Sequence, residues 1–139
     1  MHQPRQTKCV VLYADDDQDD RELISAGFAP YHDSIEIKTF SNGSDLLIHI
    51  NSLSSPGPAP CLVILDINMP LLNGLQTLKL IREQNGFEST PIVLFTTYVS
   101  GGDKQFINQY NGEILLKPID SSQFHAIIEQ FVSHCIKKA

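Results

Sequence analysis

The sequence predicts an α/β fold, one doubly wound sheet of five parallel strands with five helices, and three observations predict it. Short apolar runs alternate with amphipathic stretches along the whole chain, the pattern of β-α-β units on a buried parallel sheet. Glycines and prolines fall between the periodic segments: Gly43, Gly74, Gly86, Gly101-Gly102 and Gly112 punctuate them, and Ser54 to Pro60 reads as a Pro-rich loop too short for an interdomain linker. A chain of 139 residues suits one core that buries about two-thirds of the unfolded surface, so residues 1–139 are expected to form a single domain, with its core over about 8–137.

Taken in order, Cys9 to Ala14 is the first strand, and Leu23, Ile24 and Phe28 give the first helix its apolar face. Ile35 to Phe40 alternates apolar and polar residues, as an edge strand with one wet face would. Leu46, Leu47, Ile50 and Leu53 mark the second helix, and Leu75, Leu78 and Ile81 the third. Leu62 to Leu65, Ile92 to Phe95 and Ile114 to Leu116 read, like the first run, as fully covered strands. Phe106, Ile107 and Tyr110 make a shorter fourth helix. The last is the clearest, because Phe124, Ile127, Ile128, Phe131, Val132, Cys135 and Ile136 keep the i, i+3, i+4, i+7 spacing. The sequence stops directly after it, and no output domain is expected.

Composition narrows the function classes. Hydrophobic residues are 42% and charged residues 19%, a globular balance. No apolar run is long enough to span a bilayer and Met1 to Lys8 lacks a signal peptide's apolar stretch, so a cytoplasmic protein is the expectation. The net charge of −6 is local: Asp15, Asp16, Asp17, Asp19 and Asp20 supply five acids, without which it would be −6 + 5 = −1. That concentration disfavours nucleic-acid and membrane binding and favours a cation site. Cys9, Cys61 and Cys135 are odd in number, far apart and without metal spacing, which reads as buried thiols in a reducing compartment. His2, His32, His49, His125 and His134 read as surface residues, none of them catalytic.

In a doubly wound sheet ligands bind beyond the carboxyl ends of the strands, where the winding reverses. Those ends carry Asp15, Asp16 and Asp17, then Asp66, then Thr96 and Thr97, then Lys117. If the first and third strands are neighbours at the reversal, as in the flavodoxin-like order 2-1-3-4-5, at least three carboxylates converge. Two unit charges about 4 Å apart repel by roughly 4 kcal/mol at an effective dielectric near 20, so the cluster calls for a proton or a cation. Oxygen ligands without histidine or thiol favour Mg²⁺, with Mn²⁺ as a substitute. Thr96 offers a hydroxyl and Lys117 a mobile positive charge, a set suited to holding a phosphoryl group on or beside a carboxylate.

Asp66-Ile67-Asn68-Met69-Pro70-Leu71-Leu72-Asn73-Gly74 resembles the signature of response-regulator receiver domains: an acceptor Asp, Met-Pro, then Gly at the start of the third helix. Asp15-Asp16 resembles that family's acidic pair, Thr96 its hydroxyl residue and Lys117-Pro118 its Lys-Pro pair, whose peptide bond is usually cis. The resemblance covers Lys8 to Lys137 and implies a CheY-like fold. It implies that Asp66 takes a phosphoryl group from the phosphohistidine of a histidine kinase or phosphotransfer protein. Asp16, Asp66 and the Asn68 backbone carbonyl would contact Mg²⁺ directly and Asp15 through water, while Thr96 and Lys117 bind phosphoryl oxygens. A downstream protein would read the face of the fourth helix, fifth strand and fifth helix. Such a domain catalyses only its own phosphorylation and dephosphorylation.

Thr96, Ile114 and Tyr98 bear on the switch, Thr96 being drawn inward with Lys117 once Asp66 carries the phosphoryl group. Ile114 stands where the family usually has Tyr or Phe, which puts the aromatic switch in doubt, and Tyr98 or Tyr110 is a candidate substitute. Thr97 is bulkier than the usual Ala or Gly. Asn68 and Tyr98 flank the route by which water reaches the phosphoryl group. Asp17, Asp19 and Asp20 read as a solvated helix start that suits the helix dipole. Two other classes compete. A pseudo-receiver usually loses an acid or the lysine, and none is lost here. A phosphatase of the haloacid-dehalogenase type carries a second Asp two residues after its nucleophile, where this chain has Asn68.

Overall fold

The computed structural model describes residues 8–52 and 59–136. Five strands, β1 (Cys9–Ala14), β2 (Ile35–Phe40), β3 (Leu62–Leu65), β4 (Ile92–Thr96) and β5 (Glu113–Leu116), alternate with five helices, α1 (Gln18–Phe28), α2 (Gly43–Ser52), α3 (Gly74–Arg82), α4 (Gly101–Gln109) and α5 (Phe124–Cys135). All neighbouring strands pair in parallel, in the order β2-β1-β3-β4-β5. Two apolar layers result. Leu12, Ala14, Val63, Leu65, Ile92 and Leu94 face α2 and α3 on one side, while Val11, Tyr13, Leu62, Ile64, Val93 and Phe95 meet α1 and α5 on the other. Strict alternation of β3 and β4 between two covered faces is why these runs are apolar throughout.

Three helices start where the sequence supplies a cap. Asp17 accepts from the amides of Asp19 and Asp20 at α1. Asn73 and Gln76 form a reciprocal capping box at α3, and Ser100 accepts from Asp103 N–H at α4. The fourth helix is longer than its apolar spacing predicts, since it begins at Gly101 and Tyr110 is its C-terminal cap.

Two sequence expectations change. β5 is not fully covered: it is the edge opposite β2, Ile114 and Leu115 are half-buried, Glu113 is exposed and Leu116 is 53% exposed. A short apolar run does not reveal whether both its faces find a helix. The three cysteines are half-buried rather than buried, and they are neighbours in space. The Cys9 thiol donates to the Cys135 carbonyl at 3.5 Å and the Cys61 thiol to the Val10 carbonyl at 3.5 Å. A hydrogen bond with Cys135, followed by burial, pushes the Cys61 thiol far above its usual value. Parallel winding puts the starts of β1 and β3 beside the end of α5, which linear spacing does not show. Leu53 and most of the Pro-rich loop fall in 53–58, outside the described residues.

Gly74 is set by close approach. A Cβ there would overlap the Asp66 carbonyl oxygen and lie 2.9 Å from Ile67 Cα, and backbone atoms cannot move aside as a side chain can. The Gly74 amide donates to the Ile67 carbonyl at 2.8 Å, closing the loop from β3 onto α3. Gly74→Ala is therefore expected to cost about 2 kcal/mol or more, read as a lower urea midpoint, whereas Gly101→Ala, where a Cβ meets nothing within 4 Å, changes it little.

Candidate functional site

The strand ladders extend one step past the strands and fix the backbone of the site. Asp15 N–H donates to the Phe40 carbonyl at 3.0 Å, Asp66 N–H to the Ala14 carbonyl at 3.0 Å and Lys117 N–H to the Thr96 carbonyl at 2.7 Å. Each polar residue is thus tied to the end of the adjoining strand. One carboxylate oxygen from each of Asp15, Asp16 and Asp66 lies within 4.8 Å of the others, the only such group of His, Cys, Asp or Glu among the described residues. Asp15 is fully buried and Asp66 is 7% exposed, while Asp16 is exposed.

Lys117 crosses from β5 into this group. Its Nζ lies 2.7 Å from Asp15 Oδ2, 2.8 Å from Asp20 Oδ2 and 3.3 Å from Asp66 Oδ2. It also sits 5.7 Å from the centre of the Phe95 ring, whose face favours a cation. Burial alone would lower the ammonium's pKa, but hydrogen bonds to Asp15 and Asp20 outweigh it and carry the value well above the usual one for lysine. Thr96 is buried and its Oγ1 has no hydrogen-bond partner. A buried hydroxyl left unpaired costs on the order of 1–3 kcal/mol, so it is a donor waiting for an acceptor at this spot.

Asp15 is already saturated. Its Oδ1 accepts from the Asp17 amide at 2.9 Å, and its Oδ2 accepts from the Tyr13 hydroxyl at 2.7 Å as well as from Lys117. Arg21 donates to its backbone carbonyl at 2.6 Å. Burial, then the Asp15 charge, push the Tyr13 phenol far up, so it remains a donor. Asp16 and Asp66 are therefore the freer acids. The donor set, carboxylates with neither imidazole nor thiol, fits a hard divalent cation.

Sequence reading placed Asp15, Asp16, Asp66, Thr96 and Lys117 at the strand ends, and the structure brings Asp15, Asp16, Asp66 and Lys117 together with the Thr96 hydroxyl beside them. Asn68 is exposed in the loop after β3. In that loop Leu71 holds φ 66°, a left-handed conformation that costs a bulky residue about 1–2 kcal/mol. Ile114 is half-buried in β5 and packs against the α3–α4 side of the core. Tyr98 is 72% exposed, Tyr110 packs on Phe106 with ring centres 4.9 Å apart, and Pro118 follows Lys117 half-buried. Asp20 was read as solvated, and this is corrected: it is an ion-pair partner of Lys117. Tyr13 and Arg21 were also missed. Tyr13 had a signal, since it stands two residues before Asp15 and so shares its face of β1. Asp20 had none in the linear sequence.

Burial first, then the charge of Asp15, push the Asp66 carboxyl up to about 6, and Lys117 only partly opposes them. A carboxyl whose folded value is raised contributes stability that is fully present below the unfolded value, near 3.8, and is lost as pH rises through about 6. Asp66→Asn removes that loss. In chelator near pH 8 the variant is expected to be more stable than the natural chain by roughly 1–3 kcal/mol, with the gap closing as pH falls toward the unfolded value. Urea unfolding at a series of pH values checks this, and a gap that widens on acidification would contradict it.

Comparison with known proteins places this geometry. The model of the response regulator receiver domain matches residues 11–129. Response regulator Rre1 of Synechocystis sp. is 36% identical over 77 residues, which cover 53% of this chain and 32% of that protein, so the chain spans about a third of that relative's length. The phosphorylated cyanobacterial phytochrome response regulator RcpA superposes with a TM-score of 0.83 at 20% identity, covering 96% of this chain and 97% of that one. The Mn²⁺-bound form of response regulator Rcp1 gives 0.80 at 19%, covering 94% and 96%. Likeness at such identity speaks for the fold alone, whereas the match over residues 11–129 speaks for the family. With its five strands in the order 2-1-3-4-5, this chain belongs to the response regulator receiver domains of two-component systems.

Proposed function

We propose that the chain is a phosphoryl switch in which Asp66 accepts a phosphoryl group from the phosphohistidine of a histidine kinase or phosphotransfer protein. One observation carries this reading: a nearly buried carboxylate, Asp66, lies between an acidic pair, an ammonium and a buried hydroxyl that has no partner. Attack by an Asp66 oxygen on phosphorus forms the acyl phosphate as the bond to the histidine nitrogen breaks. Lys117 and Thr96 then meet the charge on the phosphoryl oxygens.

Asp16, Asp66 and the Asn68 carbonyl would hold Mg²⁺ or Mn²⁺, with Asp15 acting through water; the convergence of the Asp15, Asp16 and Asp66 carboxylates supports a cation here, and Rcp1, of like fold, is Mn²⁺-bound. The cation when bound offsets the charge of carboxylates and phosphoryl oxygens together. Phosphorylation adds close to two negative charges at Asp66. Lys117 is drawn toward them, and because it directly follows β5 the change reaches the face of α4, β5 and α5, which a downstream protein reads.

Incubation with Mg²⁺ and phosphoramidate or acetyl phosphate is expected to add the mass of one phosphoryl group to the intact protein. Chelator and Asp66→Asn should each abolish the gain, and Lys117→Ala should slow it by about ten-fold or more. A protein that gains no mass would be a receiver that keeps the fold without using the acceptor. Turnover of many phosphomonoesters would point to a phosphatase instead. Since Tyr98 stands exposed two residues past β4, it screens the water route, and Tyr98→Ala is expected to shorten the lifetime of the phosphorylated form; an unchanged decay rate would count against that role.

A further inference from the structure

We infer that Asp20 is a positioning residue that competes with the phosphoryl group for Lys117 and so sets how readily the phosphorylated state is adopted. The inference rests on the function proposed above and adds a residue that neither the acidic pair nor the signature around Asp66 includes.

An ammonium has three N–H donors, and Lys117 faces three carboxylates at 2.7, 2.8 and 3.3 Å. Its donors are fully engaged, and the contact with Asp66 is the longest of the three. A phosphoryl oxygen on Asp66 can gain Lys117 at full strength only if another acid releases it. Asp15 cannot do so cheaply: it is fully buried and pinned by the Tyr13 hydroxyl and the Asp17 amide, so losing the ammonium would leave a charge without water.

Asp20 can. Its side chain is 24% exposed at the mouth of the pocket, where water replaces the lost partner. It is held there by the start of α1, where Asp17 caps the Asp20 amide at 3.2 Å. The resting arrangement therefore draws Lys117 toward Asp20 and Asp15, and phosphorylation must take it from Asp20. A partly exposed pair of this kind contributes modestly, so the competition is worth a several-fold bias rather than an absolute block.

The test is titration of the magnesium-loaded chain with beryllofluoride, an analogue of the phosphoryl group, with bound fluoride read by fluorine NMR. Asp20→Asn is expected to tighten binding by about three- to ten-fold. Asp19→Asn, which removes an exposed acid of the same helix turn that does not touch Lys117, is expected to change it by less than about two-fold. Asp20→Glu, which can still reach the ammonium, should restore affinity toward that of the natural chain, and Asp20→Ser should repeat the effect of Asp20→Asn. Equal shifts in the Asp19 and Asp20 variants would reduce the effect to overall charge and overturn the inference, as would weaker binding in Asp20→Asn. Failure of the natural chain itself to bind beryllofluoride with Mg²⁺ would instead remove the proposed function, and this inference with it.

Discussion

A single ammonium holds together carboxylates that would otherwise push the pocket apart. Asp15, Asp20 and Asp66 stand around Lys117, with Asp16 beside Asp15 and Asp66, and the buried Asp15 and Asp66 have little water to screen them. At an effective dielectric near 20 each close pair of acids repels by roughly 3–4 kcal/mol. One positive charge against four negative ones leaves the pocket strongly anionic. That excess suits a divalent cation, and burial together with the Asp15 charge raises the Asp66 carboxyl to about 6 without one. A proton and a cation thus serve as alternative remedies for the same crowding, which is why metal affinity and acid stability should be linked through Asp66.

Such a pocket survives because its cost is carried by the rest of the fold. The sheet is covered on both faces, and fully buried Leu12, Ile64, Leu65, Leu94 and Phe95 supply apolar burial immediately below the strand ends. Parallel ladders leave each strand's last residue with its neighbour's next amide, and these bonds anchor Asp15, Asp66 and Lys117. Side-chain donors then fix orientation: Tyr13 and the Asp17 amide hold Asp15, and Asp15 in turn holds Lys117. Gly74 completes the frame, since α3 can approach the Asp66 backbone this closely only without a Cβ.

Much of this was legible in the sequence, for identifiable reasons. Helix number and the strand-end positions of Asp15, Asp16, Asp66, Thr96 and Lys117 follow from periodicity and from the winding rules of parallel sheets, and the strand order from the resemblance to receiver domains. What escaped depends on distance in space. Asp20 looks like any acid in a first turn, a place where the helix dipole accounts for it, and only the position of Lys117, 97 residues away, gives it another role. The same holds for Cys9, Cys61 and Cys135, which share a corner at the other end of the sheet. The exposure of β5 escaped for a further reason, since Ile114-Leu115-Leu116 is as apolar as a central strand and nothing local marks it as an edge.

That edge position bears on how a change at Asp66 travels. β5 has one neighbour, β4, and incomplete cover, so displacing it disturbs fewer packed atoms than displacing β1, β3 or β4 would. Lys117 is the next residue after β5, and Ile114 lies three residues before it, half-buried against the side of the core that α4 helps to close. An aliphatic Ile114 lacks the ring that could swing between a buried and an exposed seat. Under the proposed function transmission would fall to the strand itself: a pull on Lys117 would move β5 relative to α4, and Leu116, already largely in solvent, with it. Under the proposed function the lever would be backbone at the sheet edge, and the resting contact of Asp20 with Lys117 would bias it several-fold against moving before phosphorylation.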